Sequence, residues 1–342
     1  MRVVQVVRRY GPVGGMERYV WELSHALHAL GCAQEIVCAS IHGDAPSGVP
    51  VHTLGTVALK PRWLAAWRFA RRVAAWQEGR GGERLLVHSH EATFTHHVVT
   101  FHGPPFARVR DAAPWRRVSL RVQANLWLER NMLCAPSVRA VVPNSVLIRD
   151  LLCAYYPAVR ARMTHPIVPG VHPPARQPVS HGRKVIGFAG REWKRKGLPR
   201  AVRIAAALRR QDPAIELYVA GPNPDEVRHL FADWEGGYRL WGDCALERFY
   251  AEIDLLLHPA LMEPFGMVIT EALSVGVPVV VSDCCGAKSE VPAGAVVPLA
   301  ADDAQWVERC RHWLGRALPP YRRPWSKVAR EHLALYRRLV GD

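Results

Sequence analysis

The chain has no long hydrophobic run: nowhere in its 342 residues do apolar positions approach the ~20 that a membrane-spanning helix needs. Residues 1–20 contain no signal-peptide h-region, and Met1-Arg2 leads straight into an apolar strand, so the start reads as folded domain. The eight cysteines show no paired spacing and only Cys284 and Cys285 are adjacent, so no zinc or disulfide framework is indicated and a reducing cytoplasm is favoured. No D-x-D occurs, which disfavours a grip on diphosphate through Mg²⁺ or Mn²⁺. Acidic residues are also few: 30 Asp and Glu face 45 Lys and Arg, a net charge of +15.

That imbalance is uneven. Residues 1–170 carry 21 Lys and Arg against 10 Asp and Glu, or +11, whereas 171–342 carry 24 against 20, or +4. A basic first half points to an anionic partner there, with a merely solvated basic surface as the alternative. Apolar content of 49% with 22% charged residues describes a folded globular chain rather than a disordered one.

Short apolar strands alternate with helical spacing throughout, which predicts an α/β fold with doubly wound parallel sheets. Strands are expected at 3–7, 36–39, 51–54, 85–89, 98–101 and 140–142, with helices over 16–30, 62–76, 115–133 and 145–154. The proline-rich segment 166–182 reads as an interdomain connection. The pattern then restarts, with strands at 185–190, 216–220, 238–241, 255–257 and 279–282 and helices that include 267–275, 302–316 and 325–340. Two Rossmann-like domains, 1–168 and 169–324, are the economical architecture.

The stretch 254–286 has the most chemistry. Glu263-Pro264-Phe265-Gly266 makes a turn into a helix, so Glu263 lies beside unpaired backbone N–H groups and Glu271 in the second helical turn. Carboxylates accept hydrogen bonds from hydroxyls, so one Glu for a sugar and one for a ribose is a sensible division; two solvated surface residues is the alternative. Arg191, Lys194, Arg195 and Lys196 follow a strand in the same half, and their charge suits a diphosphate, with a basic surface loop as the alternative. In the first half, Gly11-Pro12-Val13-Gly14-Gly15 is a flexible loop at a strand's carboxyl end, without the G-x-G-x-x-G of a dinucleotide-binding dehydrogenase. His88, His90, Glu91, His96 and His97 invite a metal reading but lack an H-E-x-x-H motif. His102 ends a strand before Gly103-Pro104-Pro105; as a neutral imidazole it could exchange hydrogen bonds with a sugar hydroxyl, or serve structure alone. The Trp- and Arg-bearing segments 62–76 and 108–132 could meet a membrane surface, or simply bury their tryptophans.

Five motifs stand in order: Gly14-Gly15-x-Glu17, Thr100-Phe101-His102-Gly103, Pro143-Asn144-Ser145, Gly190-Arg191-x4-Lys196-Gly197 and Glu263-x7-Glu271. In these the whole chain resembles family 4 of the retaining, GT-B-fold glycosyltransferases. KRKGL at 194–198, DLLLHPA at 254–260 and CCG at 284–286 look like lipopolysaccharide core glucosyltransferases. The resemblance implies a GT-B fold, two Rossmann-like doubly wound domains facing a cleft, with 325–342 packing back on the first. It implies transfer of a hexose, with retention, from a nucleotide-diphosphate sugar such as UDP-glucose to a lipopolysaccharide core or related lipid-linked anionic saccharide.

By position, the resemblance gives Arg191 and Lys196 the leaving diphosphate, Glu263 the donor sugar and Glu271 the ribose hydroxyls. Backbone groups of Phe265, Gly266 and Met267 would bind sugar or phosphate oxygens, Gly14 and Gly15 would admit the donor, and His102 would contact the sugar. No metal or other cofactor is implied, nor a nucleic-acid partner, and nothing bears on the oligomeric state. The implied setting is cytoplasmic, with peripheral contact to the inner face of an anionic membrane through 108–132. A soluble sugar or sugar-phosphate acceptor on the same fold is the nearer alternative; non-catalytic binding of an anionic polymer or membrane is the more distant one. Compact loops over 221–243, the motif-free 40–60 region and prolines at 104–105 and 173–174 depart from the family pattern.

Overall fold

Continuous apolar runs such as Val3-Val4 and Leu255-Leu256-Leu257 become central strands buried on both faces, because helices cover each side of a parallel sheet. The computed structural model describes residues 2–56, 60–81, 83–113, 115, 117–172 and 184–341. The chain divides into two compact units, Met1–Gly170 with Trp325–Asp342, and Val171–Pro324. Of the proline-rich connection, residues 173–182, including Pro173-Pro174, lie outside the described residues.

The first unit contains β1 (Arg2–Val6), β2 (Arg9–Tyr10), α1 (Gly15–Ala29), β3 (Gln34–Cys38), β4 (Ser40–Ile41), β5 (Val51–Thr53), α2 (Arg62–Glu78), β6 (Leu85–Ser89), β7 (Val98–Phe101), α3 (Leu120–Cys134), β8 (Ala140–Pro143) and α4 (Val146–Tyr155). Its six-stranded sheet has the order β5-β3-β1-β6-β7-β8, parallel throughout, and β2 pairs with β4 in a small parallel ribbon. The second unit runs β9 (Lys184–Ala189), α5 (Leu198–Gln211), β10 (Ile215–Ala220), α6 (Pro224–Val227), β11 (Tyr238–Gly242), α7 (Leu246–Ala251), β12 (Leu255–His258), α8 (Met267–Ser274), β13 (Val279–Ser282), β14 (Val296–Val297) and α9 (Asp303–Trp313). Its sheet, β11-β10-β9-β12-β13-β14, is also parallel. α10 (Trp325–Val340) belongs to the first unit and packs against α1, with Tyr19 Oη 2.8 Å from His332 Nε2.

Numbered within each sheet, both orders are third-second-first-fourth-fifth-sixth strand. The order reverses between β1 and β6 and between β9 and β12, and ligands of open α/β sheets bind outside the carboxyl ends of the strands at that reversal. Each unit therefore has one such place. Cores form on the sheet faces: Val4, Val6, Val37, Phe69, Val73 and Val87 on one side in the first unit, and Phe188, Leu198, Leu208, Leu217 and Trp306 in the second.

The sequence missed β2, β4 and β14, each two residues long and too short to show a period. The helix expected over 115–133 begins at Leu120, where the Ser119 hydroxyl accepts from Val122 N at 3.3 Å; residues 114 and 116 lie outside the described residues. Its apolar side chains do not segregate to one side: Leu128 and Met132 are buried, but Leu120 and Trp127 are exposed. Glu129 anchors it, accepting from Phe106 N at 2.5 Å, Ala107 N at 2.9 Å and Tyr156 Oη at 2.8 Å. Glu129→Ala leaves these donors unpartnered and is expected to lower stability by about 3 kcal/mol; urea unfolding that shows no loss would contradict the anchoring role.

Candidate active site

In the second unit the reversal point is assembled from two loops. β9 ends at Ala189 and passes through Gly190, with φ of +146°, into the basic loop 191–197. A Cβ at Gly190 would stand 2.2 Å from Lys196 Cδ, so the glycine makes room for the lysine shaft. β12 ends at His258, and the following turn carries Glu263 to the start of α8, whose N-cap Gly266 has φ of +95° and no side chain to occupy the first N–H groups. That turn is pinned by Glu263 N to the Cys284 carbonyl at 2.9 Å, Gly286 N to the Glu263 carbonyl at 2.8 Å and Ala287 N to the Phe265 carbonyl at 2.8 Å.

Glu263 is buried and is the centre of the charge. Its Oε2 lies 3.2 Å from Lys196 Nζ, 3.6 Å from Arg195 Nη1 and 3.4 Å from His258 Nε2. Burial alone would push the carboxyl up; the adjacent His258 and the charges of Lys196 and Arg195 outweigh it and hold the group down at about 2. Burial pushes the His258 imidazole down, so it is neutral beside the carboxylate. Glu263 Oε2 and both ring nitrogens of His258 have no hydrogen-bond partner among the described residues, although all three are buried. An ionised, buried oxygen without a hydrogen bond is unusual in a folded protein and singles out this turn.

The four loop cations separate. Lys196 and Arg195 turn to Glu263, and Arg195 also donates to the Met262 carbonyl and pairs with Glu192. Lys194 Nζ lies over the Trp193 ring, 5.0 Å from its centroid. Arg191 makes a two-oxygen ion pair with Asp243, at 3.0 and 2.8 Å, in the open. The structure thus brings Lys196, Glu263, Phe265, Gly266 and Met267 together but commits Arg191 to Asp243. Glu271 lies further along α8, where Tyr250 Oη donates to its Oε2 at 2.9 Å. Sequence reasoning missed His258, Tyr250 and Asp243; the one available signal was a histidine closing the apolar run Leu255–Leu257.

In the first unit, the loop after β1 and the end of β6 meet at the corresponding point. Arg8 Nε lies 2.8 Å from Glu91 Oε2, and Arg9 Nε donates to Glu17 Oε1 at 3.0 Å. Glu17 folds back beside Gly14, where a Cβ would stand 2.4 Å from its Oε2, whereas Gly15 faces open space. His102 follows β7 and is partly exposed; Asn144 Nδ2 donates to its carbonyl at 3.4 Å, and its Nε2 lies 2.9 Å from His90 Nδ1. His88, His90 and His96 are buried and hydrogen-bonded to protein groups. Among the described residues no three His, Cys, Asp or Glu side chains gather as a metal-holding group.

A family model described as Glycosyltransferase Family 4 matches residues 13–174, and one described as Glycosyl transferases group 1 matches residues 183–316. Alpha-maltose-1-phosphate synthase of Mycobacterium tuberculosis is 26% identical over 89% of this chain and 86% of its own length. The solved structure of WaaG, a glycosyltransferase involved in lipopolysaccharide biosynthesis, superposes with a TM-score of 0.79 at 19% identity over 97% of this chain and 95% of that one. Anabaena HepE in complex with UDP and glucose gives 0.68 at 15% identity over 100% and 98%. Two parallel units of one strand order, each with its loops gathered at the reversal, and matches to transferase families over both, define a GT-B glycosyltransferase. Within that class the first half of the chain matches the model described as Glycosyltransferase Family 4 and the second half the one described as Glycosyl transferases group 1.

The lowered Glu263 value has a consequence for stability. The folded pKa lies below the ordinary 4.5, so the ion pairing contributes fully above that value and is lost as pH falls through about 2. Denaturant unfolding of the wild type and Glu263→Gln should show a stability gap that closes on acidification through this window. A gap independent of pH would remove the ion pairing from the account.

Proposed function

We propose that the enzyme moves a hexose, with retention at the anomeric carbon, from a nucleotide-diphosphate sugar of the UDP-glucose kind to an anionic, lipid-linked saccharide of the lipopolysaccharide-core type. The carrying observation is Glu263 Oε2: ionised, buried, ion-paired to Lys196 and without a hydrogen bond at the mouth of α8. In this reading Glu263 accepts from a donor-sugar hydroxyl, and the N–H groups around Phe265, Gly266 and Met267 bind sugar or phosphate oxygens. Glu271, steadied by Tyr250, takes the ribose hydroxyls. Lys196, with Arg195 beside it, meets the charge that develops on the leaving diphosphate, a role that fixed cations and a helix dipole can fill without a metal. Arg191 would add its charge by exchanging Asp243 for phosphate, since an exposed pair holds weakly.

The first unit, with its excess of Arg, is the acceptor side of the proposal; Gly14, Gly15 and His102 line its loop ends. A front-face attack, in which a donor phosphate oxygen takes the acceptor's proton, needs no protein nucleophile. Trp115, Val118 and Leu120, each more than 70% exposed, stand among Arg108, Arg110, Arg117 and Arg121, which supports a cytoplasmic enzyme in peripheral contact with anionic lipid through 108–132. An apolar groove of about 320 Å³ lined by Trp63, Trp67 and Trp127 adjoins that segment. Among the described residues no helix is long and apolar enough to cross a membrane. The relative named as a maltose-1-phosphate synthase favours one second reading, a soluble sugar-phosphate acceptor on the same donor chemistry.

Thermal shift against UDP-, GDP- and ADP-sugars is expected to show one nucleotide stabilising the protein selectively. With that donor, Lys196→Ala and Glu263→Gln should each lower kcat by about 100-fold or more; unchanged rates in both variants would sink the site assignment. Binding to vesicles should require anionic lipid and weaken with salt. Indifference to both removes the membrane contact and leaves the soluble acceptor as the better reading.

A further inference from the structure

Six side chains of the first unit form one continuous hydrogen-bonded chain that ends at His102. At its centre Gln5 Nε2 donates to Tyr336 Oη, on α10, at 3.1 Å. Tyr336 Oη lies 2.6 Å from His88 Nδ1, and His88 Nε2 lies 2.8 Å from Thr100 Oγ1. On the other side, Gln5 Oε1 lies 2.9 Å from His90 Nε2, and His90 Nδ1 lies 2.9 Å from His102 Nε2. Every member except His102 is buried.

The proton positions follow from what each atom can do. Burial pushes all three imidazoles down, His102 to about 3, so at neutral pH each is uncharged with one donor and one acceptor nitrogen. Gln5 Oε1 only accepts, so His90 Nε2 carries a proton and His90 Nδ1 carries a lone pair. His102 Nε2 must then donate, which leaves His102 Nδ1 unprotonated. In the other direction Tyr336 Oη accepts from Gln5 and donates to His88 Nδ1, and His88 Nε2 donates to Thr100. Each link has one donor and one acceptor. Exchanging the oxygen and nitrogen of the Gln5 amide reverses every link and places a proton on His102 Nδ1, so the polarity turns on Gln5.

We propose that Gln5 and Tyr336 are positioning residues that hold His102 in its Nε2–H tautomer, making His102 Nδ1 a fixed hydrogen-bond acceptor for a substrate hydroxyl. The kinetic part rests on the reading of His102 as a sugar contact; the tautomer does not. It also sets specificity: a hydroxyl can donate to Nδ1, whereas the corresponding O-methyl or deoxy sugar cannot.

The test is nitrogen NMR of the full-length, ligand-free protein labelled with ¹⁵N-histidine, with the His102 signals assigned by their loss in His102→Gln. The expected result is a pyridine-type Nδ1 and a pyrrole-type Nε2 at His102. Gln5→Met and Tyr336→Phe should each convert His102 to a tautomer mixture and lower kcat/KM by about tenfold, the worth of one hydrogen bond. A protonated Nδ1 in the wild type overturns the proposal, as does a tautomer unmoved in both variants. Should either variant fail to fold, the wild-type spectrum still decides. If the expected tautomer is found but no nucleotide sugar is a donor, the transfer reading fails and the tautomer assignment stands.

Discussion

A carboxylate taken out of water must be met by opposite charge, and the second unit is built around that requirement at Glu263. An unpaired buried ion costs several kcal/mol, so Lys196 and Arg195 have to reach the turn after β12 from the loop after β9. The loops accordingly lock together: Leu261 N donates to the Arg195 carbonyl at 2.9 Å, and a Cβ on Gly197 would stand 2.1 Å from the Pro259 oxygen. Gly190 clears the lysine shaft by the same logic. Gly190 thus admits a member of the ion cluster and Gly197 the close approach of the two loops, and Glu263 Oε2 in that cluster accepts no hydrogen bond among the described residues.

The same construction occurs in the first unit with a different outcome. There too a cation follows the first strand and a carboxylate follows the fourth, Arg8 with Glu91, at the reversal of an identical strand order. Burial pushes Glu91 up despite Arg8, while Glu263 is held low. The difference lies in the company each carboxylate keeps: Glu263 has two cations and an imidazole, whereas Glu91 has one arginine and the charge of Glu17 nearby. One geometry has become a buried, ionised cluster around Glu263, the other a single arginine–carboxylate pair.

Legibility in the sequence followed the range of the interaction. Strands buried on both faces announce themselves as apolar runs, and the restart after 166–182 reveals two units, because these are local signals. Lys196, Glu263 and Gly266 were readable because turn chemistry and charge after a strand are local too. The Arg191–Asp243 pair, the support of Glu271 by Tyr250 and the place of His258 were not, since they join residues 52, 21 and 5 positions apart across folded elements. The partners of the histidine cluster were hidden for the same reason. Spacing along β6 shows that His88 and His90 share a face, but not that Tyr336, 248 residues away, is what they meet.

Burial keeps these imidazoles neutral in a basic unit, and the distant partner bears on where each carries its proton. With +11 already on residues 1–170, a protonated histidine at the end of β7 would add repulsion toward its neighbours and could only donate hydrogen bonds. Burying His88 and His90 keeps the rings uncharged, and in the proposed chain the ties to Gln5 and Tyr336 give each a single proton position. Neutrality without such a chain would leave two tautomers in exchange, and a ring that offers a donor part of the time recognises a hydroxyl less well. The last helix thus serves the site without reaching it: by covering the sheet with a hydroxyl at the right depth, α10 decides what His102 can present.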